Sequence, residues 1–124
     1  MKVKVSDLCD TPLAWAVAKI LQLKIDEMSD DKTLIYYDGK PFLPDTYWDQ
    51  GGPIIEQNKI DVMWGGDRWC AYTMTPDGQS QLITEGDHPL LAAMRGFVAA
   101  NQVDEVDVPD DIVLDSLIYE KVVE

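Results

Sequence analysis

Two cysteines, Cys9 and Cys70, and a single histidine, His88, are the side chains most able to act as a nucleophile, a base or a soft metal ligand. The thiols lie far apart in the sequence and outside any Cys-x-x-Cys motif, so their spacing predicts neither a zinc site nor a redox pair. A catalytic cysteine–histidine pair would need His88, which directly precedes Pro89 at a predicted helix start. We interpret His88 as a helix cap and predict no catalytic residue, no bound metal and no cofactor.

Two adjacent glycines, Gly51 and Gly52, precede a predicted helix in the manner of a phosphate-binding loop. The Gly-x-x-x-x-Gly-Lys pattern is absent, and the pair lies between Asp49 and Glu56, whose charges repel phosphate. A tight turn explains these glycines adequately. The 23 acidic residues guarantee some close carboxylate pairs, but no spacing singles out a catalytic pair.

Aromatic residues give the strongest indication of a ligand site. Trp48 lies in an irregular segment rich in Pro and Gly, where function is common, while Trp69 belongs to a predicted strand. In a chain of this size we expect most tryptophans to serve packing, with ligand recognition as the alternative. The candidate ligand-binding residues are Trp48, Gln50, Gly51, Gly52 and Trp69.

The elements that would position these residues follow from hydrophobic spacing. Residues 11–21 form a predicted amphipathic helix with Thr11 as N-cap, and residues 88–101 form a second one with Leu90, Met94, Phe97 and Val98 on one face. A short helix is predicted to start at Pro53. Strands are predicted over residues 33–37, 60–64, 69–74 and 81–84, with an edge strand at 106–108.

These elements predict an α+β fold in which a small antiparallel sheet of three to five strands packs against two main helices. The length of 124 residues suits one domain. We assign this domain to residues 1–111 and treat residues 112–124 as an acidic C-terminal extension that could form a terminal helix.

The net charge of the chain argues against nucleic acid as a partner. The chain contains ten basic and 23 acidic residues, so its formal net charge is −13. Residues 104–124 alone contain eight acids and one base. The bases are scattered, which argues against nucleic-acid binding.

No apolar run is long enough to span a membrane and no signal peptide is evident, so we expect a cytoplasmic protein without membrane partners.

Five segments carry a family resemblance: WAVAK (residues 15–19), WxQGGPIIE (48–56), WxA (69–71), PLLAAMR (89–95) and DEVDVP (104–109). These segments and their order along the chain resemble those of the NinX-like family of small bacteriophage and prophage proteins, and the resemblance covers most of residues 1–111. The resemblance implies a phage accessory protein of the bacterial cytoplasm, and it brings no assigned activity. His88 replaces the usual threonine of the family, and residues 112–124 extend beyond its usual end.

The leading functional hypothesis is a non-enzymatic protein that binds a host or phage protein. One alternative is a protein that binds a small molecule, such as a nucleotide, at the candidate residues above. A second alternative is imitation of nucleic acid by the acidic tail, residues 104–124, toward a basic partner. Self-association into homo-oligomers is a further option.

Overall fold

A computed structural model describes residues 1–29, 33–102 and 105–113 of the chain. Its helices are α1 (Asp10–Leu21), α2 (Trp48–Asn58), α3 (Pro89–Gln102) and α4 (Asp110–Val113). Its strands are β1 (Lys2–Lys4), β2 (Glu27–Met28), β3 (Ile35–Tyr37), β4 (Lys40–Pro41), β5 (Asp61–Trp64), β6 (Trp69–Met74), β7 (Gln81–Gly86) and β8 (Glu105–Asp107). A 3-10 turn, Val5–Asp7, follows β1. The α+β class is therefore confirmed.

The described strands form three small antiparallel sheets. Strands β5, β6 and β7 make the predicted meander, and its register places Ala71 between Val62 and Thr84. Strands β2, β3 and β4 form a second sheet, and β1 pairs with β8 in a third. The meander and the strand near residue 106 are confirmed, whereas the sequence did not predict β1 or its pairing with β8.

Helix α3 covers one face of the meander. Gly96 lies so close to the sheet that a Cβ there would stand 3.0 Å from the Thr84 hydroxyl oxygen. That hydroxyl donates a hydrogen bond of 2.8 Å to the carbonyl of Ala92. The predicted apolar face of the helix is buried, as are the inner residues of α1. These side chains, each at most 3% exposed, are Leu90, Met94, Phe97, Val98, Leu13 and Val17.

Helix α1 begins two residues earlier than predicted, and Thr11 is not its N-cap. Cys9 occupies the cap position without a side-chain hydrogen bond to the helix. Instead the carboxylate of Asp45 accepts a hydrogen bond of 2.9 Å from the Asp10 backbone N–H, while the Thr11 hydroxyl donates to the carbonyl of Thr33. The cap is thus supplied by a residue 35 positions away, which local sequence rules cannot detect.

Helix α2 also begins earlier than predicted. It starts at Trp48, and Pro53 lies inside it. An interior proline lacks the N–H that would bond to the preceding turn and disfavours a helix by about 3 kcal/mol. Contacts of Gln50 and Gly51 with the preceding loop hold the first turn in place, so tertiary structure overrides this local preference.

The C-terminal part of the described chain joins the core. Ile112, which the sequence analysis placed in the extension, lies in α4 and is fully buried. The packed unit therefore reaches at least Ile112. Residues 114–124, the rest of the predicted terminal helix, lie outside the described residues.

Candidate functional site

Four of the five predicted ligand-binding residues lie together in the first half of α2. Trp48 is 59% exposed. Both polar atoms of the Gln50 side chain are engaged, because its Oε1 accepts a hydrogen bond of 2.7 Å from the Leu43 N–H and its Nε2 donates one of 2.9 Å to the Pro41 carbonyl. Gln50 therefore anchors α2 to the preceding loop.

The two glycines of α2 have different surroundings. A Cβ on Gly51 would collide with the carbonyl oxygen of Pro44 and stand 2.6 Å from the Cδ2 of Leu90. A Cβ on Gly52 would meet nothing within 4 Å. Close packing against the loop and α3 explains Gly51, and neither glycine forms the predicted tight turn, since both are helical.

The fifth candidate, Trp69, lies on β6. Its ring contacts that of Trp64 directly across the hairpin, with ring centres 5.5 Å apart and planes inclined by 66°. Trp69 is half-buried, whereas Trp64 is 56% exposed. Trp64 thus takes part in hairpin packing, as expected of the tryptophans, whereas for the exposed ring of Trp48 the choice between packing and ligand recognition stays a prediction.

His88 and Asp45 meet where the loop before α2 approaches the starts of α1 and α3. The Nε2 of His88 lies 2.8 Å from the Asp45 backbone carbonyl. Burial raises the pKa of the Asp45 carboxyl above its ordinary value, although hydrogen bonds from the Asp10 N–H and the Thr46 hydroxyl oppose this shift. This arrangement holds three elements together. Within the described ranges no cluster of His, Cys, Asp and Glu could hold a metal ion.

The meander presents an apolar surface on the side opposite α3. Because Ala71 faces the helix, strand alternation directs Cys70, Tyr72 and Met74 the other way. The register sets Ile83 beside Tyr72 and Met63 beside Cys70. Met63, Met74 and Ile83 are 52%, 51% and 62% exposed. We call the surface formed by Met63, Tyr72, Met74 and Ile83 the outer face.

Acidic residues surround the outer face. Residues 60–87 contain five acids and one base, a net charge of −4. The base, Arg68, forms an ion pair of 3.0 Å with Glu85, and Asp61 lies beside Tyr72 on the outer face itself. The surface therefore combines an apolar centre with a negatively charged surround.

A groove of about 800 Å³ runs along the free edge of the meander. Four consecutive residues of β7, residues 82–85, form one wall, and Lys4, Val5 and Ser6 belong to the other. Arg95 links the two sides, since its Nε donates to the carbonyl of Leu8 and its Nη1 to that of Glu85, at 2.8 and 2.9 Å. We call this cavity the edge groove.

Comparison with known protein families identifies the family of the chain. The family model for NinX of bacteriophage P22 matches residues 4–101, from the end of β1 to the last turn of α3. The chain belongs to the NinX family. The resemblance predicted from the five sequence segments is thereby confirmed. No curated protein matches the chain. In the part of this NinX-family chain that the structure describes, no helix is both long and apolar enough to cross a bilayer.

Sequence reasoning on this NinX-family chain missed both the outer face and the edge groove. A signal for the outer face exists, because β6 is apolar at successive positions and so predicts apolar side chains on both sides of the sheet. The edge groove has no such signal, since its walls are separated by more than 70 residues of sequence.

Proposed function

We propose that the protein is a non-enzymatic phage accessory protein that acts in the bacterial cytoplasm by binding a host or phage protein through the outer face. The observation that carries this proposal is the group of three large apolar side chains, Met63, Met74 and Ile83, each more than half exposed on one sheet face. Soluble proteins rarely leave large apolar patches open unless the patch contacts a partner. Flexible methionines suit such surfaces because their side chains adapt to the shape of the partner.

The charge around the outer face specifies the chemistry of the partner. The net charge of −4 over residues 60–87 favours a partner surface with an apolar centre and a basic surround. The same charges repel phosphate, so duplex DNA and RNA are disfavoured as ligands. The rate of association should fall as the salt concentration rises, since dissolved ions weaken the attraction between charges more than about 8 Å apart at physiological ionic strength.

The small-molecule alternative has weaker support. Gln50 and Gly51 are committed to packing α2, and the ring of Trp69 contacts Trp64 on the hairpin. Imitation of nucleic acid is supported only by charge, and two of the described carboxylates in that region, Asp107 and Asp110, bind the N-terminal ammonium group.

A pull-down from infected cells with the tagged chain tests the proposal. The double variant Met63→Lys/Ile83→Lys should lose the captured partner, because two charges disrupt the apolar centre. The matched control, Tyr47→Lys/Trp48→Lys, changes two exposed aromatic residues elsewhere and should retain it. Capture that survives in the first variant contradicts the proposal. Native mass spectrometry that reveals a bound metabolite lost in the second variant would favour the small-molecule alternative.

A further inference from the structure

Strand β7 has one unpaired edge. It pairs with β6 alone, at the end of the sheet order β5–β6–β7. At the adjoining turn the Thr75 N–H donates to the Ser80 carbonyl, and hydrogen-bonded pairs recur at every second residue of an antiparallel ladder. Leu82 and Thr84 therefore direct their backbone groups toward β6. Ile83 directs its N–H and C=O away from β6, into the side where the edge groove lies.

The position of Arg95 supports this assignment of backbone directions. Its guanidinium group binds the carbonyl oxygen of Glu85, which is the residue two positions after Ile83 and shares its direction in the ladder. The backbone edge of β7 thus opens onto the groove. An unpaired edge of this kind is a template for an added strand, and extended peptides bind many proteins in this way.

The charge of the edge groove differs from that of the rest of the molecule. Both arginines of the chain, Arg68 and Arg95, line the groove together with Lys4, against the two carboxylates of Glu85 and Glu105. Three bases and two acids give a local charge of +1 in a chain whose net charge is −13.

Arg95 has an unused capacity for binding an anion. Its hydrogen bonds go to two backbone carbonyls, and among the described residues no carboxylate forms an ion pair with it. Arginine binds carboxylates through paired, charge-assisted hydrogen bonds, which are stronger than those to neutral carbonyl groups. A carboxylate in the groove would therefore gain more at Arg95 than a neutral group.

We infer that the edge groove binds an extended, acidic segment of a partner protein, which adds a strand to β7 and places a carboxylate on Arg95. Backbone hydrogen bonds to Ile83 supply part of the affinity, and Arg95 supplies the selection for an acidic residue. The two sites share Ile83, but the edge groove uses the backbone of this residue and the outer face uses its side chain. Variants that change the backbone and the side chain of Ile83 differently therefore distinguish the two proposals.

A displayed library of random ten-residue peptides, selected against the full chain, tests the inference. Enriched peptides should alternate β-branched or aromatic residues with polar ones and should contain Asp or Glu. Ile83→Pro should weaken their binding at least about tenfold, because proline removes the outward N–H, while Ile83→Thr keeps that N–H and should bind as the original chain does. Both variants lose the isoleucine side chain, so their difference reports the backbone of residue 83 rather than that side chain.

The role of Arg95 has its own pair of variants. Arg95→Gln should weaken the enriched peptides at least about tenfold, whereas Lys24→Gln, which removes one exposed positive charge elsewhere, should not. In the unaltered chain, peptide binding should slow hydrogen exchange at the Ile83 amide, a measurement that remains valid if Arg95→Gln fails to fold. Failure to enrich any peptide, equal binding by the two Ile83 variants, or an unprotected Ile83 amide would overturn the inference. Self-association that Ile83→Pro abolishes and Ile83→Thr retains would also overturn it, by assigning the edge to a second copy.

Discussion

Asp45 is only 2% exposed, and its carboxylate receives the first free N–H of α1. Removal of this group from water makes the charged form costly, which is why its pKa is raised. The His88 contact with its backbone carbonyl fixes the same loop from the side of α3. Asp45 therefore contacts the starts of two helices, and its raised pKa makes the stability of this packing depend on pH.

A pH-dependent stability follows from Asp45. Above its ordinary pKa of 3.8 and up to its raised value in the folded state, the folded chain holds a proton that the unfolded chain has released. The free energy of unfolding attributable to this group is therefore greatest at low pH and falls as pH rises through that range. Urea unfolding from about pH 4 to about pH 7 should show the original chain losing stability relative to Asp45→Asn, whose amide oxygen can still accept from Asp10. A relative gain with rising pH would contradict the assignment.

Trp48 provides a second prediction at the scale of one residue. Because its ring is 59% exposed, Trp48→Ala should change the free energy of unfolding by less than about 1 kcal/mol. The buried Phe42, at 5% exposure, is the matched comparison, and Phe42→Ala should cost about 3–5 kcal/mol. Chemical denaturation of both variants measures the contrast. A cost at Trp48 equal to that at Phe42 would show a packing role.

The sequence predicted individual side chains well where their roles are local. Leu90, Met94 and Val98 recur at helical spacing, and that spacing alone identifies a buried face. Asp45 and Gln50 could not be recognised in this way, since each binds backbone groups whose position depends on the folded chain. The candidate site was identified from residue type, which does not report whether a side chain is already engaged.

Helix α2 allows a comparison of two adjacent glycines. Gly51→Ala should destabilise the fold, because the added methyl group would meet the Pro44 carbonyl, a backbone group that can move little. Gly52→Ala should stabilise it by about 0.5–1 kcal/mol, since the methyl group has space and alanine favours a helix. Thermal unfolding of the two variants should shift in opposite directions. Equal shifts would mean that α2 does not pack closely on the loop before it.

At the scale of elements, the sequence located every main helix and the three strands of the meander but not the starts of α1 and α2. Both starts depend on contacts with the loop before α2, through Asp45 for one helix and Gln50 for the other. Capping rules consider only a few neighbouring residues, so they place the starts at Thr11 and Pro53. The predicted starts are wrong because the contacts that set them come from residues outside the few neighbours that capping rules consider.

For the whole molecule, the C-terminal limit of the packed unit is open to measurement. Ile112 is fully buried, so Ile112→Ala should cost about 2–5 kcal/mol in free energy of unfolding. A chain that ends at Val113 should keep its cooperative transition, because α1 and the meander both pack against α3 upstream. A chain that ends at Asp111 should be weaker by a margin like that of Ile112→Ala. Equal stability of the two shortened chains would place Ile112 outside the core.

The pairing of β1 with β8 joins Val3 to Val106 across almost the whole length of the described chain. During synthesis the amino-terminal strand leaves the ribosome first, and its partner follows only after about 100 further residues. At about 5–20 residues per second this delay is about 5–20 s. Throughout that time Val3, which is buried in the finished fold, has no partner strand. Among the described strands β1 is thus made first and paired last, and a nascent chain stalled before residue 105 carries β1 without its partner strand.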